Sequence, residues 1–236
     1  MRTCSALVVL LFVLTFSACG KPQPAANNAP APEAVPGGDE PKAEAAPAAI
    51  PTTNEIQRRD ASSVKLGDYL PPLDGGTIEL AIPDGWKPLS SNSKFVMRFV
   101  ELESRGGLPQ IDVVVEENNL GGFTDVTEAN VVEFTAAVAK DLEAKRTAVT
   151  EAPIPMIIGS VPCARYVSRL KLKIGEGTLL VERQTLVLLH AGRLYEIKLL
   201  VEIGKLVESR DAAYAVCAGV RFPTAASPAA ESPVAE

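Results

Sequence analysis

The stretch CARYVSRLKLKIGEGTLLVERQTLVLLHAGRLYEIKLLV, residues Cys163 to Val201, decides the fold. It holds three runs rich in aliphatic residues: Cys163 to Lys173, Thr178 to Leu189 and Arg193 to Val201. Only Gly175-Glu176-Gly177 and Ala191-Gly192 punctuate them. Parallel strands need a crossover of a dozen or more residues, so gaps this short close antiparallel hairpins. Leu186, Val187, Leu188 and Leu189 put apolar side chains on both faces of the middle strand. Such a strand requires cover on both sides of the sheet.

Reading outward, Thr77 to Ile82 alternates, with Ile78, Leu80 and Ile82 on one face. Pro83-Asp84-Gly85 turns into Trp86, expected to plug the edge of the core. Phe95 to Leu102 and Gln110 to Glu116 read as two further strands, divided by Gly106-Gly107. Asn118 to Gly122 is a loop. A helix is predicted from about Glu128 to Lys145, because Val131, Phe134, Val138 and Leu142 recur at spacings of three and four. Its start has two candidate capping boxes, Asp125 with Glu128 and Asn130 with Glu133. A last helix is predicted from about Lys205 to Val220, with Leu206, Ala213, Cys217 and Val220 on its buried side. Strands, helix, strands, helix is the order of an α+β fold: an antiparallel sheet of about six strands with helices packed on it. With two good helices in view, Asn54 to Val64 and long loops are expected to complete the second cover.

Four stretches together resemble the PsbP-like α/β/α sandwich domain. They are IELAIPDGW (Ile78 to Trp86), GGFTDVTEANVVEF (Gly121 to Phe134), RLYEIKLLV (Arg193 to Val201) and AAYAVCAGVRF (Ala212 to Phe222). The chain also looks like uncharacterised bacterial lipoproteins built on that fold. The resemblance covers the whole domain and implies an accessory or binding protein. It transfers no catalytic set, since fold alone does not settle function.

The N-terminus has a different character. Arg2 is followed by an apolar run from Ala6 to Phe16, too short for a comfortable bilayer span of about 20 residues. It has the length of a signal-peptide core. Leu14-Thr15-Phe16-Ser17-Ala18-Cys19 resembles the lipobox of bacterial lipoproteins, with Phe16 where Leu is usual. The resemblance implies cleavage before Cys19 and lipidation of its sulfur; a plain cleaved signal and an uncleaved anchor are the alternatives. Each buried methylene adds about 0.8 kcal/mol, so two or three acyl chains hold a protein on a membrane durably. Gly20, in place of the Asp that favours inner-membrane retention, implies an outer-membrane anchor facing the periplasm if the organism has two membranes. Prolines recur from Pro22 to Pro51 with alanine between them. Such a segment cannot bury enough apolar surface to order itself, and would span about 30–35 Å r.m.s. as a flexible chain. The organisation read from the sequence is thus a signal peptide at 1–18, lipidated Cys19 and a disordered linker at 19–61, a globular domain at 62–223, and a disordered tail at 224–236.

Within the domain the chemistry is sparse. His190, the one histidine of the chain, sits beside a predicted turn with no G-x-S-x-G element. It reads as a surface or packing residue. Cys163 and Cys217 are read as a possible disulfide, closing a loop of roughly fifty residues and worth about 3–4 kcal/mol. Two buried free thiols are the alternative. Glu116, Glu117, Asn118, Asn119 and Asp125 lack the ordered spacing of a calcium loop, so no metal is expected there. No phosphate-loop motif occurs, and no cofactor is expected. Arg165, Arg169, Lys171 and Lys173 share one strand face by period two, and mark a possible ligand or partner face. A solvent-exposed stripe balanced by Glu182 and Glu196 is the alternative. The formal net charge of −6 argues against nucleic-acid binding, which needs a basic surface.

These features favour a lipid-anchored, non-catalytic binding or accessory module that meets another envelope protein or the cell wall. A small-ligand carrier with a pocket between sheet and helix, Arg165 or Arg169 at its mouth, ranks second. An enzyme ranks third.

Overall fold

The computed structural model describes residues 54–174 and 177–223. In chain order the elements are β1 (Gln57–Arg59), β2 (Leu66–Tyr69), β3 (Ala81–Pro83), β4 (Trp86–Leu89), β5 (Met97–Arg105), β6 (Leu108–Glu117) and α1 (Val131–Ala144). Then come β7 (Val149–Ile158), β8 (Val161–Ile174), β9 (Gly177–His190), β10 (Arg193–Glu202) and α2 (Leu206–Ala218). The signal peptide, Cys19 and the tail from 224 onward lie outside the described residues. So does most of the linker read at 19–61, except that β1 falls within it and forms part of the sheet.

The hairpins dominate the fold as their short gaps require. β8 pairs antiparallel with β9 from Ala164 opposite Val187 to Ile174 opposite Gly177. β9 pairs with β10 from His190 opposite Arg193 to Val181 opposite Glu202. Ala191 and Gly192, which join them, both hold positive φ, at 49° and 73°. That is the backbone a two-residue hairpin turn demands. The non-glycine Ala191 is held there by its N–H, which donates to Asp125 Oδ1 at 2.9 Å.

The main sheet has eight strands, in the order β1-β7-β8-β9-β10-β6-β5-β4, and not the six that the sequence suggested. One expected strand leaves the main sheet and three others join it: β1, β7 and β4, the last formed by Trp86 and the residues after it. Thr77 to Ile82 does not join the main sheet: its end, β3, pairs with β2 in a separate two-stranded sheet. β7 was hidden by Pro153 and Pro155. It accommodates them because its ladder to β8 is irregular between Val149 and Ile154, and because β1 pairs only with Met156 to Ile158. The proline-bearing part is therefore an edge, where a missing N–H is tolerated. β1 pairs parallel to β7, so the sheet is mixed at that edge. β1 also shows that the segment after Asn54 extends the sheet and does not simply cover a face.

Each face carries a helix. Phe134, Val138 and Leu142 of α1 pack with Ala164, Tyr166, Val187, Leu189 and Leu194. On the other face α2 supplies Leu206, Ala213, Val216 and Cys217 to a larger core containing Cys163, Val167, Leu186, Ile197 and Trp86. Neither predicted capping box forms. Asn130 is the N-cap of α1 without a side-chain cap bond. Its Oδ1 accepts from the Thr127 N–H at 2.7 Å and its Nδ2 donates to Asp125 O at 3.0 Å. The side chain thus ties down the preceding turn, which competes for the same short polar group.

Candidate functional site

A cleft of about 390 Å³ opens between α2 and the β1, β7 and β8 edge of the sheet. Three arginines line it: Arg59 from β1, Arg165 from β8 and Arg210 from α2. Strand alternation aims Gln57 and Arg59 into the cleft and sends Arg58 to the opposite side, where it pairs with Glu128. Arg210 and Tyr214 lie one helical turn apart, so they present to the cleft together.

Arg165 is its buried end, only 7% exposed. A buried guanidinium survives only if it is paired and hydrogen-bonded. Its Nε donates to Gln184 Oε1 at 2.9 Å and its Nη1 donates to Glu151 Oε2 at 2.5 Å. The Tyr214 hydroxyl donates to the same Gln184 oxygen at 3.5 Å. Gln184 is fully buried, and its Nε2 has no hydrogen-bond partner. Burial raises the Tyr214 phenol, and Arg165, Arg210 and Arg59 pull it back down. The three guanidiniums therefore act on one place. Glu151 is the counter-charge, with its side chain half exposed.

The predicted basic stripe is divided by this geometry. Arg165 belongs to the cleft. Arg169, exposed beyond it, donates from Nη2 to Glu182 Oε1 at 2.9 Å. Lys171 and Lys173 are exposed farther along β8. Glu196, the other expected balancing charge, projects from the opposite face, because its strand neighbour Val187 packs beneath α1. There it pairs with Lys198. Burial raises the Glu196 carboxyl, and Lys198 partly offsets that.

Cys163 and Cys217 are brought together, both buried and both free. The Cys217 thiol is pushed well up, first by its hydrogen bond to Cys163 and then by burial. His190 stacks on Phe222 with ring centroids 4.2 Å apart, and its Nδ1 meets Asp125 at 3.0 Å. It is a packing residue. The loop after β6 spends its polar groups on structure: Asn118 Oδ1 accepts from the Leu120 N–H, Asn118 Nδ2 donates to Phe123 O, and Asn119 Nδ2 donates to Asp141 of α1. A wider concavity of about 670 Å³ lies beside this loop and α1, with Leu120, Phe123, Ala136 and Ala137 among its walls.

Sequence reading found Arg165 but not Arg59, Glu151, Gln184, Arg210 or Tyr214. One signal was present. Arg165 and Gln184 interrupt otherwise apolar stretches of two central strands, and a polar residue there needs a partner. The Arg210 and Tyr214 spacing is too common on helices to single out.

No family model matches the chain, and none of the curated proteins does. Solved structures do. One is a protein from Bacteroides thetaiotaomicron: TM-score 0.46, 10% identity, covering 68% of this chain and 50% of that one. The match thus spans half of that chain's length. CyanoP, the cyanobacterial PsbP of Synechocystis sp. PCC 6803, gives TM-score 0.37 at 13% identity over 62% of this chain and 87% of that one. LpqN, involved in cell envelope biogenesis of Mycobacterium tuberculosis, gives 0.40 at 16% over 62% and 83%. Likeness at this level carries no functional argument. Among the described residues no helix is long and apolar enough to cross a membrane.

Proposed function

We propose that this protein is a lipid-anchored lipoprotein of the cell envelope, carried on the periplasmic side of the outer membrane. Its PsbP-like sandwich domain acts as a non-catalytic binding or accessory module for another envelope component. The observation that carries the binding role is the cleft under α2. It gathers three guanidiniums beside one carboxylate, with a phenol raised above its usual range by burial. The sequence supports the anchor, through Leu14 to Cys19 and the alanine- and proline-rich leader after it. In that arrangement Cys19 sits in the membrane and the domain searches a radius set by the leader.

A small-ligand carrier is the second reading, favoured by the placing of the cleft between sheet and helix with Arg165 at its floor. In-cell crosslinking of the native protein followed by mass spectrometry separates the two. Capture of one envelope protein supports the accessory module. Capture of none, with a co-purifying small molecule, supports the carrier. Intact-mass analysis tests the anchor: lipid on Cys19 is expected, and an unmodified Cys19 removes it.

A further inference from the structure

We infer that the cleft under α2 is a site for a phosphomonoester dianion, whether borne on a lipid headgroup or on a soluble molecule. The inference deepens the binding-module reading, on which it rests for where the ligand is met.

Charge is the first argument. Arg59, Arg165 and Arg210 face one carboxylate, Glu151, across a single concavity. The surplus is two positive charges, which a phosphomonoester matches at neutral pH, its second pKa being about 6. Guanidinium is the group suited to this task, because its planar fork meets two oxygens of a phosphate at once.

Availability is the second argument. Of the three cleft arginines it is Arg165 that makes the ion pair to Glu151, while Arg59 and Arg210 line the same cavity from β1 and α2. Arg165 is anchored from behind by Gln184, so its guanidinium is oriented before any ligand arrives. Such orientation reduces the ordering that binding must overcome. The Tyr214 hydroxyl donates its one proton to Gln184 Oε1 at 3.5 Å, a long bond that it would exchange for one to the ligand.

Glu151 then has a definite role. Its carboxylate occupies Arg165 Nη1 while half exposed to water. It is an internal stand-in for the incoming anion, tethered on the edge strand β7, and an entering phosphate displaces it from Arg165. A purely structural ion pair would behave differently when Glu151 is neutralised.

The test uses the full chain purified in detergent, with isothermal titration calorimetry and inorganic phosphate as probe. Saturable binding is expected, strengthening as pH rises from about 5.5 to 7.5 because the dianion forms over that range while arginine does not titrate. Arg59→Gln and Arg210→Gln change residues outside the core, so folding is retained and checked by the melting temperature. Each is expected to weaken binding about tenfold or more, the size of a lost charge-assisted contact. Glu151→Gln is expected to tighten it several-fold. Absence of saturable phosphate binding overturns the inference. So does an Arg59→Gln/Arg210→Gln protein that binds as tightly as the parent, or a Glu151→Gln protein that binds more weakly. Co-sedimentation with phosphatidylcholine vesicles containing phosphatidate, after removal of the acyl anchor by Cys19→Ser, separates the sources. Binding abolished by Arg59→Gln/Arg210→Gln supports a lipid headgroup, and phosphate binding without vesicle binding supports a soluble ester. Crosslinking that captures an envelope protein while phosphate fails to bind overturns this assignment and leaves the accessory role standing. The reverse pattern keeps the site and removes that role.

Discussion

The two faces of the sheet are built on opposite plans. Under α1 the contact is apolar through most of its extent: Phe134 is fully buried, packs edge-on against Phe123 with centroids 5.7 Å apart, and sits among aliphatic strand residues. Under α2 a larger apolar core gives way, toward the β1 edge, to a line of polar groups from Gln184 through Arg165 and Tyr214 to open solvent. The same sheet supports both because successive strand residues point to opposite sides. A single strand, β8, contributes Ala164 and Tyr166 to one face and Cys163 and Arg165 to the other. The difference teaches that one sheet can keep an apolar contact on one face while admitting charged groups at the edge of the other. Apolar packing lies on both faces, and opposite the α1 contact a polar wedge is held by the bonds of Arg165 to Gln184 and Glu151, with Gln184 Nε2 left unpaired.

The contrast can be broken first where it is strongest. Phe134→Ala leaves a cavity in the closed face and is expected to cost about 3–5 kcal/mol, read from urea unfolding midpoints. A loss below about 1 kcal/mol would deny that this face is tightly packed. Next is oxidation of the other face. We propose that Cys163 and Cys217 bridge when the protein is oxidised, adding about 3–4 kcal/mol by restricting the unfolded chain. Unfolding with and without reductant, alongside thiol alkylation and mass analysis, measures this. Two freely alkylated thiols in the unfolded oxidised protein would count against the bridge.

Gln184→Leu probes the polar wedge itself. It removes the acceptor for Arg165 Nε and leaves that donor buried, which is expected to cost about 1–3 kcal/mol and to weaken phosphate binding along with stability. An unchanged affinity would mean that Arg165 is oriented by other groups. The smallest effect is expected on the α1 side, at Glu196. Its carboxyl lies above the ordinary value of 4.5, chiefly through burial. Below 4.5 both folded and unfolded chains hold the proton, and its contribution is fully present. As pH rises from there through the folded value, the folded state retains a proton that the unfolded state has lost, so stability declines. Glu196→Gln should flatten that decline, as followed by melting temperature from pH 4 to 7. An equally steep profile in the variant would assign the slope to other groups.

Much of the scaffold was legible in the residues. The α1 stripe is read correctly because period 3.6 is a local signal: Val131, Phe134, Val138 and Leu142 are all buried. The hairpins of β8, β9 and β10 follow from two short gaps. β7 was not legible, since Pro153 and Pro155 argue against a strand unless its edge position is already known. The two-stranded sheet of β2 and β3 was also hidden, because alternation in Thr77 to Ile82 identifies a strand but not its partner.

By itself the sequence determined the hairpin core, the two helices and the acidic net charge. These rest on short-range periodicity and composition. Tertiary structure decided the cleft. Arg59, Glu151, Arg165, Gln184, Arg210 and Tyr214 come from five different elements, and only folding makes neighbours of residues some 150 positions apart. It also divided the basic stripe, because Arg165 lines the cleft beside α2 while Lys171 and Lys173 lie in water. Sequence spacing selects a face, but the covering element selects how far along that face a site extends.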